Sequence, residues 1–138
     1  MSQETITKEG CFAADVRRSI NANFDEVYGA VITGFSANAA DLAALGSAQG
    51  SAAAIASNVV NVTGADGTKG VILPTGAAGD IYIVYNSVAT NGLPVYPASG
   101  AAINGGTANA AVTIEGKTLA VFVATSATNW GAIYTANT

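Results

Sequence analysis

The stretch DIYIVYNSVATNGLPVY (residues 80–96) decides how the chain folds. Its first half is rich in β-branched and aromatic residues, which favour strands, and TNG at 90–92 is a turn sequence. The second half, LPVY at 93–96, again favours an extended segment. Two short strands around a glycine-containing turn therefore predict an all-β module in this part of the chain.

The same alternation of strands and turns continues on both sides of that stretch. Turn sequences such as GADG (64–67), GAAG (76–79) and NGG (104–106) separate the apolar segments. Short strands at this spacing predict a mainly β fold, with a small antiparallel β-sandwich or barrel over residues 58–138. The predicted strands are 59–63, 69–73, 80–86, 93–96, 110–114, 117–124 and 130–135.

Two of these strands have no polar face. IYIVY (81–85) and LAVFVA (119–124) are apolar on both sides, whereas strands with one face in water alternate apolar and polar residues. We therefore expect them to lie centrally in the module or under another subunit. Pro94 and Pro97 each remove a backbone donor, which predicts that the strand at 93–96 lies at an edge or an interface.

The chain ahead of the β-module has a different pattern. Residues 36–57 are rich in Ala, Gly and Ser and are interpreted as a connector, in which Asn38 is a candidate cap for a short helix over 39–45. Residues 1–35 are interpreted as a polar arm followed by an amphipathic helix. Apolar residues spaced by three or four positions predict this helix, and they are Phe12, Val16, Ile20, Phe24, Val27 and Val31.

Charge is scarce and concentrated near the amino terminus. Only 10% of the residues are charged, against about a quarter in ordinary soluble domains, and the formal net charge is −4. The acidic balance and the lack of a basic cluster argue against nucleic-acid binding. The polar first ten residues predict no secretory signal, and the apolar runs are too short to predict a membrane helix.

The sequence contains no histidine, which removes the usual proton-transfer residue near neutral pH. A Ser–Lys pair through Lys69 or Lys117 and a cation site at Asp66 or Asp80 are formal alternatives, but residues of these types in turns are usually solvated or bonded to their own backbone. GADGTKG (64–70) has its lysine in the wrong place for a phosphate loop. We predict no enzyme activity, no catalytic, cofactor or metal site, and no cofactor.

Large side chains are the remaining candidates for a function. The single Cys11 is interpreted as a small apolar contact, and Trp130 with the tyrosines is interpreted as core rather than as a carbohydrate platform. Because a chain so rich in alanine suits close packing between subunits, its large apolar residues are candidate subunit contacts. These are the helix residues Phe12, Val16, Ile20, Phe24, Val27 and Val31, and the module residues Tyr82, Tyr85, Tyr96, Phe122 and Trp130.

Three segments resemble structural proteins of tailed bacteriophages. RRSINANFDEVYGA (17–30) is similar to a helix that opens many tail-fibre and head-fibre proteins. The segment LPVYPASGAAINGGTANAAVTIEGKTLAVFVATSATNW (93–130) resembles a β-module of phage virion proteins. DLAALGSAQGSAAAIASNVV (41–60) resembles the connector that often joins such parts. The resemblance implies a homotrimer attached to a virion, which is assembled in the host cytoplasm.

Among virion proteins, the resemblance favours a capsid decoration protein of the cement or head-fibre type. Such a protein would bind the major capsid protein and other copies of itself, with a host surface glycan as a further candidate partner and with neither nucleic acid nor membrane. A short tail fibre or host-binding adhesin is the alternative. A small cell-wall hydrolase is a third hypothesis, but it would need paired acids or a metal site.

Overall fold

The computed structural model describes residues 40–136, and this part of the chain is mainly β. One short 3-10 turn, Gln49–Ser51, interrupts the strands. The strands in chain order are β1 (Ala40–Ala43), β2 (Ala53–Ala54), β3 (Val59–Thr63), β4 (Val71–Ile72), β5 (Ile81–Asn86), β6 (Leu93–Tyr96), β7 (Ala102–Ile103), β8 (Val112–Ile114), β9 (Leu119–Ser126) and β10 (Asn129–Ile133).

The chain winds as a β-solenoid between two sheets. The odd-numbered strands β1, β3 and β5 lie side by side and parallel in a six-stranded sheet, and β2, β4 and β6 do the same in a four-stranded sheet. Val60 pairs with Ala40 on one side and Val84 on the other, so the chain returns to the sheet after 20 and then 24 residues. Each turn therefore contributes one strand to each sheet.

Antiparallel strands end the solenoid after its third turn. In the six-stranded sheet, whose order is β1-β3-β5-β9-β10-β7, β9 is antiparallel to both β5 and β10. In the four-stranded sheet, whose order is β2-β4-β6-β8, β8 is antiparallel to β6. The backbone N–H of Glu115 donates to the carbonyl oxygen of Thr135, which covers the outer side of β8. Beyond β9 the six-stranded sheet continues with β10 and then β7, which pairs with β10 in parallel.

The core lies between the two sheets and consists mostly of small apolar side chains in rows. One such row crosses β3, β5 and β9 and consists of the buried residues Val60, Val84 and Ala120. These residues pair with one another across neighbouring strands, and paired residues point to the same side of a sheet. Phe122 and Trp130 are the largest side chains that are fully buried, at 0% and 1% exposure. The alanine- and valine-rich composition thus fills a core within one chain.

A buried amide holds the connection between β5 and β6. Asn86 is wholly buried, and its Nδ2 donates to the carbonyl oxygen of Asn91 at 2.8 Å. Its Oδ1 accepts the backbone N–H of Val88 at 3.2 Å, and its own backbone pairs with Thr118 and Lys117. The side chain thus satisfies backbone groups that the turn would otherwise leave buried and unpaired.

The predicted strand positions are confirmed, but the predicted sandwich or barrel is wrong. Each of the seven predicted strands overlaps an observed one, although β1, β2 and β7 were not predicted. The spacing of strands and turns fixes where strands begin and end but not which strands pair. Here consecutive strands cross to the opposite sheet, so strands two apart in the chain become parallel neighbours.

For the strand at 93–96 an edge or an interface was predicted. The edge is wrong, because β6 lies between β4 and β8, and the interface stays a prediction. The carbonyl oxygen of Tyr96 accepts a hydrogen bond from the backbone N–H of Leu73, directly after β4, so the backbone groups of Tyr96 point toward β4. The backbone groups of Pro94, two residues earlier in the same strand, point in the same direction. Strand β4 pairs only with Val95 and Tyr96, and the N–H that Pro94 lacks would point past its end. The sheet therefore tolerates this proline in an internal strand.

Residues 40–57, which were interpreted as connector, form regular structure. The predicted helix over 39–45 is wrong, since β1 occupies Ala40–Ala43 and Leu45 forms a β-bridge with Gly70. The part of the predicted connector that lies in the described range forms β1, the 3-10 turn and β2, which is the first turn of the solenoid. The predicted arm and amphipathic helix over 1–35 lie outside the described residues.

Candidate interaction surface

The charged side chains of the described range lie mostly in turns. Asp66 is exposed, and its carboxylate accepts the backbone N–H groups of Lys69 and Thr68, each at 2.9 Å. These donors, the Lys69 N–H first, hold the pKa of the Asp66 carboxyl well below its usual range. The prediction that this acid bonds to its own turn is therefore confirmed.

The other candidate groups have structural partners as well. Lys69 forms an ion pair with Asp66 at 3.3 Å, and strand β4 follows it, as expected for a turn and not for a phosphate loop. Asp80 accepts the backbone N–H of Ala77 at 2.8 Å. Within residues 40–136 no three acidic or cysteine side chains lie close enough to hold a metal ion. Nor does this part of the chain contain a helix with the length and hydropathy to cross a membrane.

Of the five candidate contact residues of the β-module, two are fully buried, one packs against Trp130, and two are partly exposed. Phe122 and Trp130 belong to the core of this chain, so they offer no surface to a second one. Tyr82 packs edge-on against Trp130 with ring centroids 5.8 Å apart, and burial, with the charge of Asp80, raises its pKa. Tyr85 and Tyr96 are partly exposed, and they lie on different sheets. The helix candidates Phe12 to Val31 lie outside the described range.

An apolar surface lies on the side of the six-stranded sheet that faces away from the core, called the outer face below. Its central row crosses four strands, because Ile83 pairs with Val59 on β3 and Val121 on β9, and Val121 pairs with Ile133 on β10. Val121 lies between two buried neighbours on β9, and Val59 and Ile83 each precede a buried valine on β3 and β5. The row is therefore continuous across the sheet.

Further apolar residues flank this row on both sides. Ile81 pairs with Val123 on one side, and Tyr85 pairs with Leu119 on the other. Leu119 is 54% exposed and Ile133 is 82% exposed, so both side chains reach well into solvent. Strands β5 and β9 are thus apolar on both faces, as their sequences predict, but within the described part of the chain only one face is covered.

The rim of the outer face is polar and almost uncharged. Asn61, beside Tyr85, donates from Nδ2 to the carboxylate of Asp41 at 2.7 Å. Asp41 lies on the edge strand β1 and is the one charged residue among the strands of the six-stranded sheet. The amide oxygen of Asn61 is buried and has no hydrogen-bond partner among the described residues.

Sequence reasoning found part of this surface and missed the rest. The doubly apolar strands signalled Ile81, Ile83, Leu119, Val121 and Val123, whereas Val59 and Ile133 were not selected because the pairing of their strands was not known. No protein-family model, no curated protein and no solved structure matches the chain, so the outer face has to be interpreted from its own geometry.

Proposed function

We propose that the chain is a non-catalytic structural subunit of a tailed-bacteriophage virion, most specifically a homotrimeric capsid decoration protein. In this proposal it binds the major capsid protein and stabilises the head. The part of the chain outside the described residues joins the β-solenoid to the capsid. The proposal stands on the resemblance of segments 17–30, 41–60 and 93–130 to phage virion proteins together with the surface of the described domain.

The observation that carries the proposal is the uncharged apolar outer face on a small β domain. A decoration protein acts by binding protein surfaces, and an exposed sheet face crossed by Val59, Ile83, Val121 and Ile133 is suited to that purpose. Two carboxylates of the same domain, Asp66 and Asp80, are held in turns by nearby backbone N–H groups. A chain without histidine also lacks the commonest general base.

Capsid binding is the experiment that tests the proposal. The purified full chain is mixed with capsids assembled without it, and bound protein is separated by sedimentation. Saturable binding at a fixed number of copies per capsid, with capsids that resist heat or chaotrope better, is expected. Failure to bind, combined with a monomeric mass in multi-angle light scattering, would rule out the decoration function.

One observation favours the alternative of a short tail fibre or host-binding adhesin. Parallel stacking of β1, β3 and β5 is a repeat that an elongated shaft would use. Three turns closed by antiparallel strands make only a short shaft, however. Antibody labelling of intact particles separates the two functions, because staining confined to the tail contradicts the decoration proposal.

A further inference from the structure

We infer that the outer face of the six-stranded sheet is the surface through which copies of this chain associate. The inference rests on the homotrimer of the proposed function and goes further, because it assigns the contact to a particular surface. It also differs from the aromatic contacts expected from the sequence. Its centre is the aliphatic row Val59, Ile83, Val121 and Ile133.

The size of the outer face exceeds that of scattered exposed residues. Single exposed leucines or isoleucines are common on protein surfaces, but a contiguous row across four strands is not. Four strands spaced ~4.8 Å apart, over about five residues of ~3.3 Å each, give a sheet area of roughly 300 Å². The apolar row runs across this area, while Asn61 and Thr63 on β3 are polar and Gly131 on β10 has no side chain.

Charge identifies a second copy as the occupant. The strands of the outer face carry one charged residue, Asp41, at the edge, where the amide of Asn61 binds it. A partner with a strongly basic or acidic contact surface would find no charge there other than that of Asp41 at the edge. Two copies, each with a net charge of −4 over the whole chain, can meet at this face without bringing like charges together.

The geometry of the outer face also suits contact with the outer face of another copy. Apolar sheet faces pack on one another about 10 Å apart, with β-branched side chains interlocking across the gap. Val121 lies at the centre of the face, and Ile133 is its most exposed large apolar side chain. A stable interface buries about 800 Å² per partner, so the apolar row would form the centre of a larger contact that includes the polar rim.

The test places a charge on this surface without disturbing the core. Ile133→Glu alters a side chain that is 82% exposed, so the fold should tolerate it. Val121→Thr is a second variant, which keeps the β-branched shape and replaces one methyl group by a hydroxyl group. Ala127→Glu, on the exposed turn between β9 and β10, carries the same charge away from the outer face and is the matched control.

The mass of each full-length variant is measured by multi-angle light scattering over a concentration series, with circular dichroism to check folding. Self-association of the Ile133→Glu chain is expected to weaken by about a hundredfold or more, because a buried unpaired charge is costly, while the control keeps its wild-type mass. The Val121→Thr variant is expected to associate more weakly than wild type. Wild-type association by folded Ile133→Glu and Val121→Thr chains would overturn the inference.

Capsid binding by the same proteins keeps this inference separate from the proposed function. If Ile133→Glu still forms the wild-type oligomer and binds capsids, the assigned surface is wrong and the decoration function stands. If the substitution abolishes the oligomer but the wild-type chain does not bind capsids, the surface is right and the decoration function is wrong. A wild-type chain that remains monomeric throughout the concentration series overturns the inference directly.

Discussion

Asn86 donates a hydrogen bond from its fully buried amide to the carbonyl oxygen of Asn91, 2.8 Å away. This contact lies where the chain leaves the six-stranded sheet and turns toward the four-stranded one. A β-solenoid needs such a connection wherever its chain passes from one sheet to the other, and each connection places backbone groups next to a largely apolar interior. The stability of the described domain therefore depends on a few polar contacts as well as on its aliphatic rows.

Replacement of Asn86 by alanine should destabilise the domain by about 2–4 kcal/mol, because it leaves the Asn91 carbonyl and the Val88 N–H buried without this partner and opens a small cavity. Urea unfolding followed by tryptophan fluorescence measures the change. The matched control, Asn129→Ala, alters an exposed asparagine and should change stability by less than about 0.5 kcal/mol. Equal effects of the two substitutions would show that the buried amide has no special role.

Gly116→Ala should be similarly destabilising, by about 1–3 kcal/mol, through steric overlap. A Cβ at this position would lie 2.6 Å from the carbonyl oxygen of Ala89 and 2.7 Å from that of Val88, both of which are backbone atoms that cannot move independently. Gly50→Ala is the control, because nothing lies within 4 Å of the added carbon there. A Gly116→Ala protein as stable as the Gly50→Ala protein would contradict the close approach of these two loops.

Trp130 should respond differently to a small and a large truncation. Trp130→Ala is expected to cost about 3–5 kcal/mol, because it removes the largest core side chain and its edge-on contact with Tyr82. Trp130→Phe should cost clearly less, since it keeps an aromatic ring and removes an indole N–H that is buried without a partner among the described residues. Calorimetric melting temperatures of the three proteins measure the order, and a phenylalanine variant as unstable as the alanine variant would contradict it.

Acid should weaken the domain partly through Asp66. Backbone donors lower the pKa of its carboxyl in the folded state below the ordinary value of 3.8, so its stabilising effect is complete above that value. The effect is lost as the pH falls from about 4 toward the lowered folded-state pKa, because the unfolded chain then binds the proton more readily. Urea midpoints between pH 5 and 2 should therefore fall less steeply for Asp66→Asn than for wild type.

Glu115→Gln is the control for this pH series, since it removes another exposed carboxyl group from a turn. We expect the acid dependence of this variant to stay closer to that of the wild type. If the Asp66→Asn and wild-type curves run parallel from pH 5 to 2, the hydrogen bonds from Thr68 and Lys69 do not make the proposed contribution.

The sequence predicted where strands form much better than how they are arranged. Segments such as 81–86 carry their own signal, because β-branched and aromatic residues bounded by glycine turns favour an extended chain almost anywhere. Parallel pairing of β3 with β5 depends on contacts between residues 24 apart, and no local pattern encodes that register. The alanine-rich strands β1 and β2 lack both β-branching and alternation, so their segment was interpreted as a connector.

The candidate surface was predictable only in part for the same reason. Apolar residues at every position of 81–85 and 119–124 indicated two faces that avoid water, and the structure confirms that these strands are central in their sheet. The alignment of Ile133 with Val121 depends on the pairing of β10 with β9, and this pairing is a tertiary contact. Close approaches such as that of Gly116 to Val88 likewise appear only once the loops are placed.

Cryo-electron microscopy of intact particles that carry this chain tests the central claim most directly. The account predicts density for the solenoid on the head surface, in groups of three, with the outer faces containing Val121 and Ile133 turned toward one another. Density confined to the tail, or isolated copies whose outer faces are exposed to solvent, would contradict it.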